Sequence, residues 1–155
     1  MKLALAAFLL AAPALAGEPA YLDDRSDPAA IVRSLYNAVS RQEYARAWSY
    51  FGESKPVPDY QAFVAGYADT ASVELLTGPV ATEGAAGSIY GSVPVALAAT
   101  GTDGATRVFA GCYVTRQLQP AVQEPPFRPL EIDRASLHAA EGPLAAALPA
   151  QCETP

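Results

Sequence analysis

The sequence predicts an α+β domain in which N-terminal helices pack on one face of a curved antiparallel sheet. Two observations support this fold class. Apolar residues recur with a period of about 3.6 up to Thr70 and with a period of about 2 after it. Asp103-Gly104 then separates two long segments of the second kind, and this dipeptide is typical of tight hairpin turns. Helices followed by a strand meander indicate the α+β class.

Residues 1–16 have the pattern of a cleaved export signal. Lys2 gives a positive start, an apolar run follows, and Ala14-Leu15-Ala16 is a small-x-small cleavage site. A buried helix and a membrane anchor are the alternatives, but the apolar run is shorter than the roughly 20 residues that span a bilayer. Residue 17 is Gly rather than the Cys of a lipoprotein. We therefore expect a periplasmic or secreted protein without a membrane span.

The first helix is predicted to begin directly after a polar leader. Residues 17–26 contain Pro19 and several charged side chains, which indicates a flexible leader. Asp27 is suited to the N-cap and Pro28 to the first helical position. The apolar face of this helix follows helical spacing and comprises Ile31, Val32, Leu35, Tyr36 and Val39.

Two further short helices are predicted before the sheet. Residues 41–51 place Tyr44, Ala47, Trp48 and Phe51 on one face, and Gly52 ends this helix. Asp59 is the next capping candidate. The helix after it has its apolar face at Tyr60, Phe63, Val64, Tyr67 and Ala71.

Four strands are predicted, at 72–77, 88–99, 106–117 and within 127–137. Pro94 lies inside the second strand and cannot donate to a ladder, which indicates an edge, a bulge or a kink. Gly91 marks a bend or a close approach of another element in the same strand.

Cys112 and Cys152 are the only cysteines, and an even pair in an exported chain predicts a disulfide. The bond would tie the Ala/Pro-rich tail, residues 139–155, to the third predicted strand. In the loop-entropy model, closing a loop of this size contributes about 4 kcal/mol. Unpaired thiols or a redox pair are the alternatives, although no C-x-x-C motif supports redox chemistry.

Composition excludes several kinds of function. The formal charge of −6 argues against nucleic acid, which is bound through Lys and Arg. One histidine, His138, and two paired cysteines predict no transition-metal site. The serines lack the G-x-S-x-G context of a nucleophile elbow, and residues 84–87 lack the Lys of a P-loop. No cofactor is expected.

Several motifs resemble a known superfamily. Y-A-R-A-W at 44–48 and F-V-A-G-Y-A-D-T at 63–70 lie on successive predicted helices before a bent sheet. This order is similar to the nuclear transport factor 2-like superfamily, which includes ketosteroid isomerase and SnoaL-type cyclases. E-G-A-A-G-S at 83–88 and Y-x-x-V-P-V at 90–95 are similar to its exported bacterial members. The likeness covers residues 27–138 and predicts one domain there.

The resemblance implies a cone-shaped, cystatin-like roll with a pocket between the helices and the concave face of the sheet. A homodimer is a further expectation, because superfamily members often dimerise through the convex face. Apolar and aromatic side chains would line the pocket. The candidates for this lining are Tyr36, Tyr44, Trp48, Phe63, Tyr67, Tyr90 and Tyr113, with ordinary core packing as the alternative for each.

Enzymes of the superfamily need a general base in the cone, opposite a group that holds an oxyanion. Asp69, Glu83 and Tyr90 are the candidates here, with a helix-end hydrogen bond for Asp69 and a loop tether for Glu83 as alternatives. His138 is expected at an edge or on the surface.

No motif identifies a base, so we expect an exported, non-catalytic domain that binds a small apolar ligand or a protein partner. A cofactor-independent isomerase or dehydratase acting on a small hydrophobic substrate is one alternative. An extracytoplasmic inhibitor or interaction protein is the other.

Overall fold

The computed structural model describes residues 17–152 and has the predicted α+β architecture. The predicted signal peptide, residues 1–16, lies outside the described residues. The helices are α1 (Pro28–Ser40), α2 (Tyr44–Ser49), α3 (Tyr60–Tyr67) and α4 (Leu144–Ala147), with a 3₁₀ turn at Pro120–Val122. The strands are β1 (Thr70–Thr77), β2 (Ala81–Ala85), β3 (Ser88–Gly101), β4 (Thr106–Leu118) and β5 (Glu131–Ala140).

The strands form one antiparallel sheet in the order β1-β3-β4-β5, and β2 pairs with β3 on the same side as β1. The four predicted strands are present, and β2 was not predicted. Its sequence is small, polar and exposed along its whole length, so it has no alternation to detect. The β2–β3 turn places Ala86 and Gly87 at φ of 48° and 73°.

Pro94 lies where its missing N–H breaks no ladder. Gly78, in the connection between β1 and β2, donates its N–H to the Pro94 carbonyl at 2.8 Å. The nitrogen and carbonyl of one strand residue point to the same side, so the Pro94 nitrogen faces this connection. On the other side, Pro94 stays in register with Cys112 of β4.

Helix α1 packs directly on the sheet. The Asp27 carboxylate accepts from the N–H groups of Ala29 and Ala30 at 2.8 Å, which confirms the predicted cap. A Cβ placed on Gly91 would lie 2.5 Å from the Pro28 ring. The absence of a side chain at Gly91 therefore allows the start of α1 to approach β3, as the close approach predicted at this glycine requires.

The leader, residues 17–26, is held against α1 and α2 although its composition predicts flexibility. The Asp24 N–H donates to the Ser34 hydroxyl at 2.8 Å, and that hydroxyl donates back to the Asp24 carbonyl. Tyr50, which is fully buried, donates to the Asp23 carboxylate at 2.8 Å. The polar groups of the leader find their partners on helices well separated from it in sequence.

The predicted disulfide between Cys112 and Cys152 is present, with a Cα–Cα distance of 5.9 Å. Cys112 alternates along β4 with Tyr113, whose side chain faces the helices, so the bond lies on the opposite face of the sheet. Helix α4 contacts β3, and the tail is thereby tied to this convex face. Among the helices of the described residues, none is both long and apolar enough to cross a membrane.

Candidate functional site

A cavity of about 680 Å³, here called the main cavity, lies between α3 and the concave face of the sheet. The C-terminal end of α3 borders it on one side, apolar side chains of four strands form its walls, and polar residues surround its opening. The residues that line it are Tyr36, Ala65, Gly66, Tyr67, Asp69, Thr70, Val73, Leu97, Ala99, Gly101, Thr102, Asp103, Ala105, Arg107, Phe109 and Leu137.

Helix α3 contributes its C-terminal residues Ala65, Gly66 and Tyr67 to the lining of the cavity. Ala65 and Gly66 are small and exposed, and Tyr67 is half-buried. A Cβ added at Gly66 would have no atom within 4 Å, so no other part of the protein covers this position. Helix α1 presents Ile31 and Leu35 to the same face, and both are fully buried. The hollow therefore begins where the large side chains of α1 end.

The walls follow from strand alternation and register. Leu97 of β3 lies opposite Phe109 of β4, and Leu137 of β5 lies opposite Gly111. A Cβ on Gly111 would lie 1.9 Å from the Ser136 carbonyl oxygen. Only a glycine at this position lets β5 come close enough to bring Leu137 to the cavity.

Two tyrosine hydroxyls meet at the base of the site. The Tyr36 and Tyr113 oxygens are 2.6 Å apart, and their rings meet edge to face at 6.1 Å. Burial raises the pKa of both phenols, and the negative charge of an ionised Tyr67 nearby would raise them further. Both groups are therefore neutral at pH 7 and can donate or accept hydrogen bonds.

The opening carries exposed charges. Asp69 connects α3 to β1, and its backbone carbonyl accepts from the Thr102 N–H at 2.9 Å. The Asp103 carboxylate accepts from the Ala105 N–H at 2.9 Å within the β3–β4 turn. Arg107 adds one guanidinium on the β4 side. The rim thus offers two carboxylates and one cation to a polar group of a ligand.

A second space of about 380 Å³, here called the side cavity, adjoins the main cavity. Both are bordered by Gly66, Tyr67 and Leu137. The side cavity has no charged residue in its lining, and its polar groups are the tyrosine hydroxyls and the backbone. The remaining lining residues are Phe51, Pro56, Val57, Ala62, Phe63, Tyr113 and Ala135.

Four of the seven predicted aromatic lining residues border a cavity. Tyr36 borders the main cavity, Phe63 and Tyr113 border the side cavity, and Tyr67 borders both. The resemblance implied one pocket, whereas these four residues surround two adjoining spaces on the same face of the sheet.

Three of the seven lie elsewhere. Tyr44 and Trp48 of α2 are half-buried against the hydrophobic core and border neither cavity. Tyr90 lies near the start of β3, two residues from Ser92 and four from Pro94 on the strand, on the face turned away from the helices. Tyr90 therefore does not line the concave site that the resemblance implies for it, because alternation directs Val93 and Leu97 there instead.

The predicted catalytic candidates are not brought together. Asp69 lies at the rim of the main cavity and is exposed. Glu83 lies on strand β2, opposite Tyr90, and not in the loop expected for it. It is exposed and lines neither cavity. His138 is exposed on β5 opposite Ala110, at the edge of the sheet. In the described part of the chain, no hydrogen bond joins Asp69 to a tyrosine of the cavities.

Sequence reasoning missed several residues that border the cavities. Ala62, Ala65 and Gly66 are small and follow i, i+3, i+4 spacing on α3, and each borders a cavity. This stripe of small side chains on an otherwise apolar helix is a signal that the sequence does contain. Phe109 and Leu137 depend on strand register, which the sequence does not reveal.

The arrangement is suited to reversible binding of a mainly apolar molecule. Apolar walls remove ligand surface from water, neutral hydroxyls at the base offer hydrogen bonds, and the charged rim stays solvated. Comparisons with known proteins add no family to this description. No protein-family model matches the chain, and neither a curated protein nor a solved structure matches it.

Proposed function

We propose that the protein is an exported, non-catalytic domain that binds a small, mainly apolar ligand in the main cavity. The observation that carries the proposal is the cavity itself. Its volume of about 680 Å³ lies within the range of roughly 300 to 1,000 Å³ typical of ligand sites. Its walls are apolar, its base holds the Tyr36 hydroxyl, and its rim opens to solvent beside Arg107.

Export and superfamily membership are part of the same proposal. The signal pattern of residues 1–16 supports export, and a disulfide is typical of oxidising compartments. Helices followed by an antiparallel sheet, with a cavity on its concave face, support membership of the nuclear transport factor 2-like superfamily.

Binding is proposed in preference to the isomerase or dehydratase hypothesis. That chemistry needs a carboxylate enclosed with a hydrogen-bond donor around the reacting carbon. The carboxylates that border the main cavity, Asp69 and Asp103, are exposed at its rim. The tyrosine pair at the base instead has its hydroxyls bonded to each other.

Fluorescence of the neutral apolar probe N-phenyl-1-naphthylamine tests the proposal. Its emission should rise and saturate with the wild-type protein, and Ala99→Phe should weaken binding at least tenfold by filling the main cavity. Ser72→Phe is the matched control. Ser72 is exposed on β1 and does not line the main cavity, so this variant adds the same ring outside the proposed site. This control should bind like wild type.

Equal loss in both variants, or no saturable binding by wild type, would contradict the proposal. Mass spectrometry of protein recovered from its native compartment would then identify the physiological ligand or partner. A protein partner bound equally by wild type and Ala99→Phe, with no small molecule, would favour the interaction-protein hypothesis.

A further inference from the structure

The wall between the two cavities is made of side chains that differ in how firmly they are held. Tyr36 borders the main cavity and Tyr113 the side cavity, and the 2.6 Å bond between their hydroxyls fixes both rings. Tyr67 and Leu137 border both spaces. The tyrosine pair is thus the fixed part of the wall, and Tyr67 lies beside it.

Tyr67 is held by packing rather than by its polar group. It is the last residue of α3, and its ring meets Phe63 edge to face at 5.1 Å. Its backbone carbonyl accepts from the Tyr44 hydroxyl at 3.3 Å, whereas its own hydroxyl has no hydrogen-bond partner among the described residues. Replacement of this ring therefore removes a partition without leaving a protein group unpaired.

The polarity of the lining residues decreases from the rim of the main cavity to the side cavity. The rim of the main cavity is charged, its walls are apolar, and beyond Tyr67 the side cavity has no charged lining residue. A molecule with a polar end and an apolar chain fits this gradient with its polar end at the rim. Its chain then points towards Tyr67.

We propose that Tyr67 sets the length of apolar chain that the protein accepts, by closing the main cavity off from the side cavity. The ligand class is a single-chain amphiphile whose polar end lies at the rim. The inference rests on the proposed binding function, and it makes Tyr67 a specificity-determining residue. Affinity rises with chain length until the chain reaches Tyr67, and longer chains gain nothing further.

Calorimetric titration with 1-alkanols from 1-hexanol to 1-dodecanol tests this role. Affinity for wild type should rise about fourfold for each added methylene while the chain is being buried. It should then level off once the end of the chain reaches Tyr67. In Tyr67→Ala the rise should continue by at least two further methylenes, whereas Tyr67→Phe should level off at the wild-type length.

Leu137→Phe provides a second and opposite variant. Leu137 is half-buried and borders both cavities from β5, so a larger side chain there adds volume at their junction. Its affinity should level off at shorter chains than in wild type. This variant keeps the ring of Tyr67, so it tests the junction even if Tyr67→Ala fails to fold.

The outcomes separate the two proposals. If no alkanol binds wild type, the proposed binding function fails. If alkanols bind but affinity levels off at the same length in wild type, Tyr67→Ala and Leu137→Phe, the role of Tyr67 is overturned while the binding function stands. A rise through 1-dodecanol in wild type would equally overturn it.

Discussion

Helices α1 and α3 cover the same face of one sheet, yet the space beneath them is filled in one case and hollow in the other. Beneath α1, Leu35 and Val39 meet Val93 and Val95 of β3, and all four are fully buried. At the C-terminal end of α3, Tyr67 borders a cavity of about 680 Å³. Both helices are capped by aspartate, but α1 buries nine residues and α3 buries only Phe63, so the difference lies in how much side-chain volume each helix buries.

The two parts of the concave face have different roles. Close packing beneath α1 provides stability, since each buried aliphatic side chain contributes about 1.5 to 3 kcal/mol. Unfilled space beneath α3 contributes no such packing and costs the contacts that its lining residues lack. A region that forgoes packing on a stable sheet is therefore where we locate binding.

The largest expected difference comes from one substitution made in both regions. Leu35→Ala beneath α1 should cost about 3 to 5 kcal/mol, because it opens a new cavity in close-packed surroundings. Leu137→Ala at the wall of both cavities should cost about 1 kcal/mol, since this half-buried side chain already borders open space. Urea denaturation measures both, and equal costs would mean that the α3 region is as tightly packed as the α1 region.

Glycine replacements should have opposite signs in the two regions. Gly91→Ala places a Cβ 2.5 Å from Pro28 at the start of α1 and should cost about 1 to 3 kcal/mol. Gly66→Ala meets nothing within 4 Å and should gain about 0.5 to 1 kcal/mol from helix propensity. Thermal unfolding should show one midpoint below and one above wild type, and a loss of stability in Gly66→Ala would show that a side chain at position 66 meets another part of the protein.

The last effect is absent at neutral pH and appears only in alkali. It concerns the Tyr36–Tyr113 pair, which lies where the filled region meets the hollow one. Burial raises the pKa of both phenols above the usual value near 10. As the pH rises through 10, unfolded tyrosines release protons that the folded pair keeps, so the unfolded state is favoured. Stability should be independent of this pair below pH 9 and should fall above pH 10 by up to about 1.4 kcal/mol per pH unit for each phenol.

Replacement of both tyrosines by Phe isolates this contribution. The double variant should show a shallower loss of stability between pH 10 and 11 than wild type, measured by denaturation at each pH. An unchanged slope would show that the pair ionises equally in the folded and unfolded states.

Local features of the fold could be predicted from the sequence. The Asp27-Pro28 start of α1 depends on neighbouring residues alone, and so does the Asp103-Gly104 turn between β3 and β4. The disulfide could be predicted because two cysteines allow one pairing within the chain. In each case the determining interaction lies within a few residues or has no competitor.

Features that depend on distant partners could not be predicted. Tyr50 is fully buried because the leader covers it and Asp23 accepts its hydrogen bond, 27 residues away. Strand β2 gains its hydrogen bonds from β3 without an apolar face of its own. Leu137 reaches the cavities only through the β4–β5 register at Gly111. The shape of the site therefore follows from pairing across the sheet.

Backbone amide chemical shifts during titration with 1-octanol test the central claim most directly, because they report on both regions in one experiment. Saturable shifts should appear at Gly66, Tyr67, Val73 and Leu137 beneath α3, and residues such as Leu35 and Val95 beneath α1 should stay unchanged. Shifts of equal size in both regions, or confined to exposed residues such as Phe127, would contradict a binding site in the hollow beneath α3.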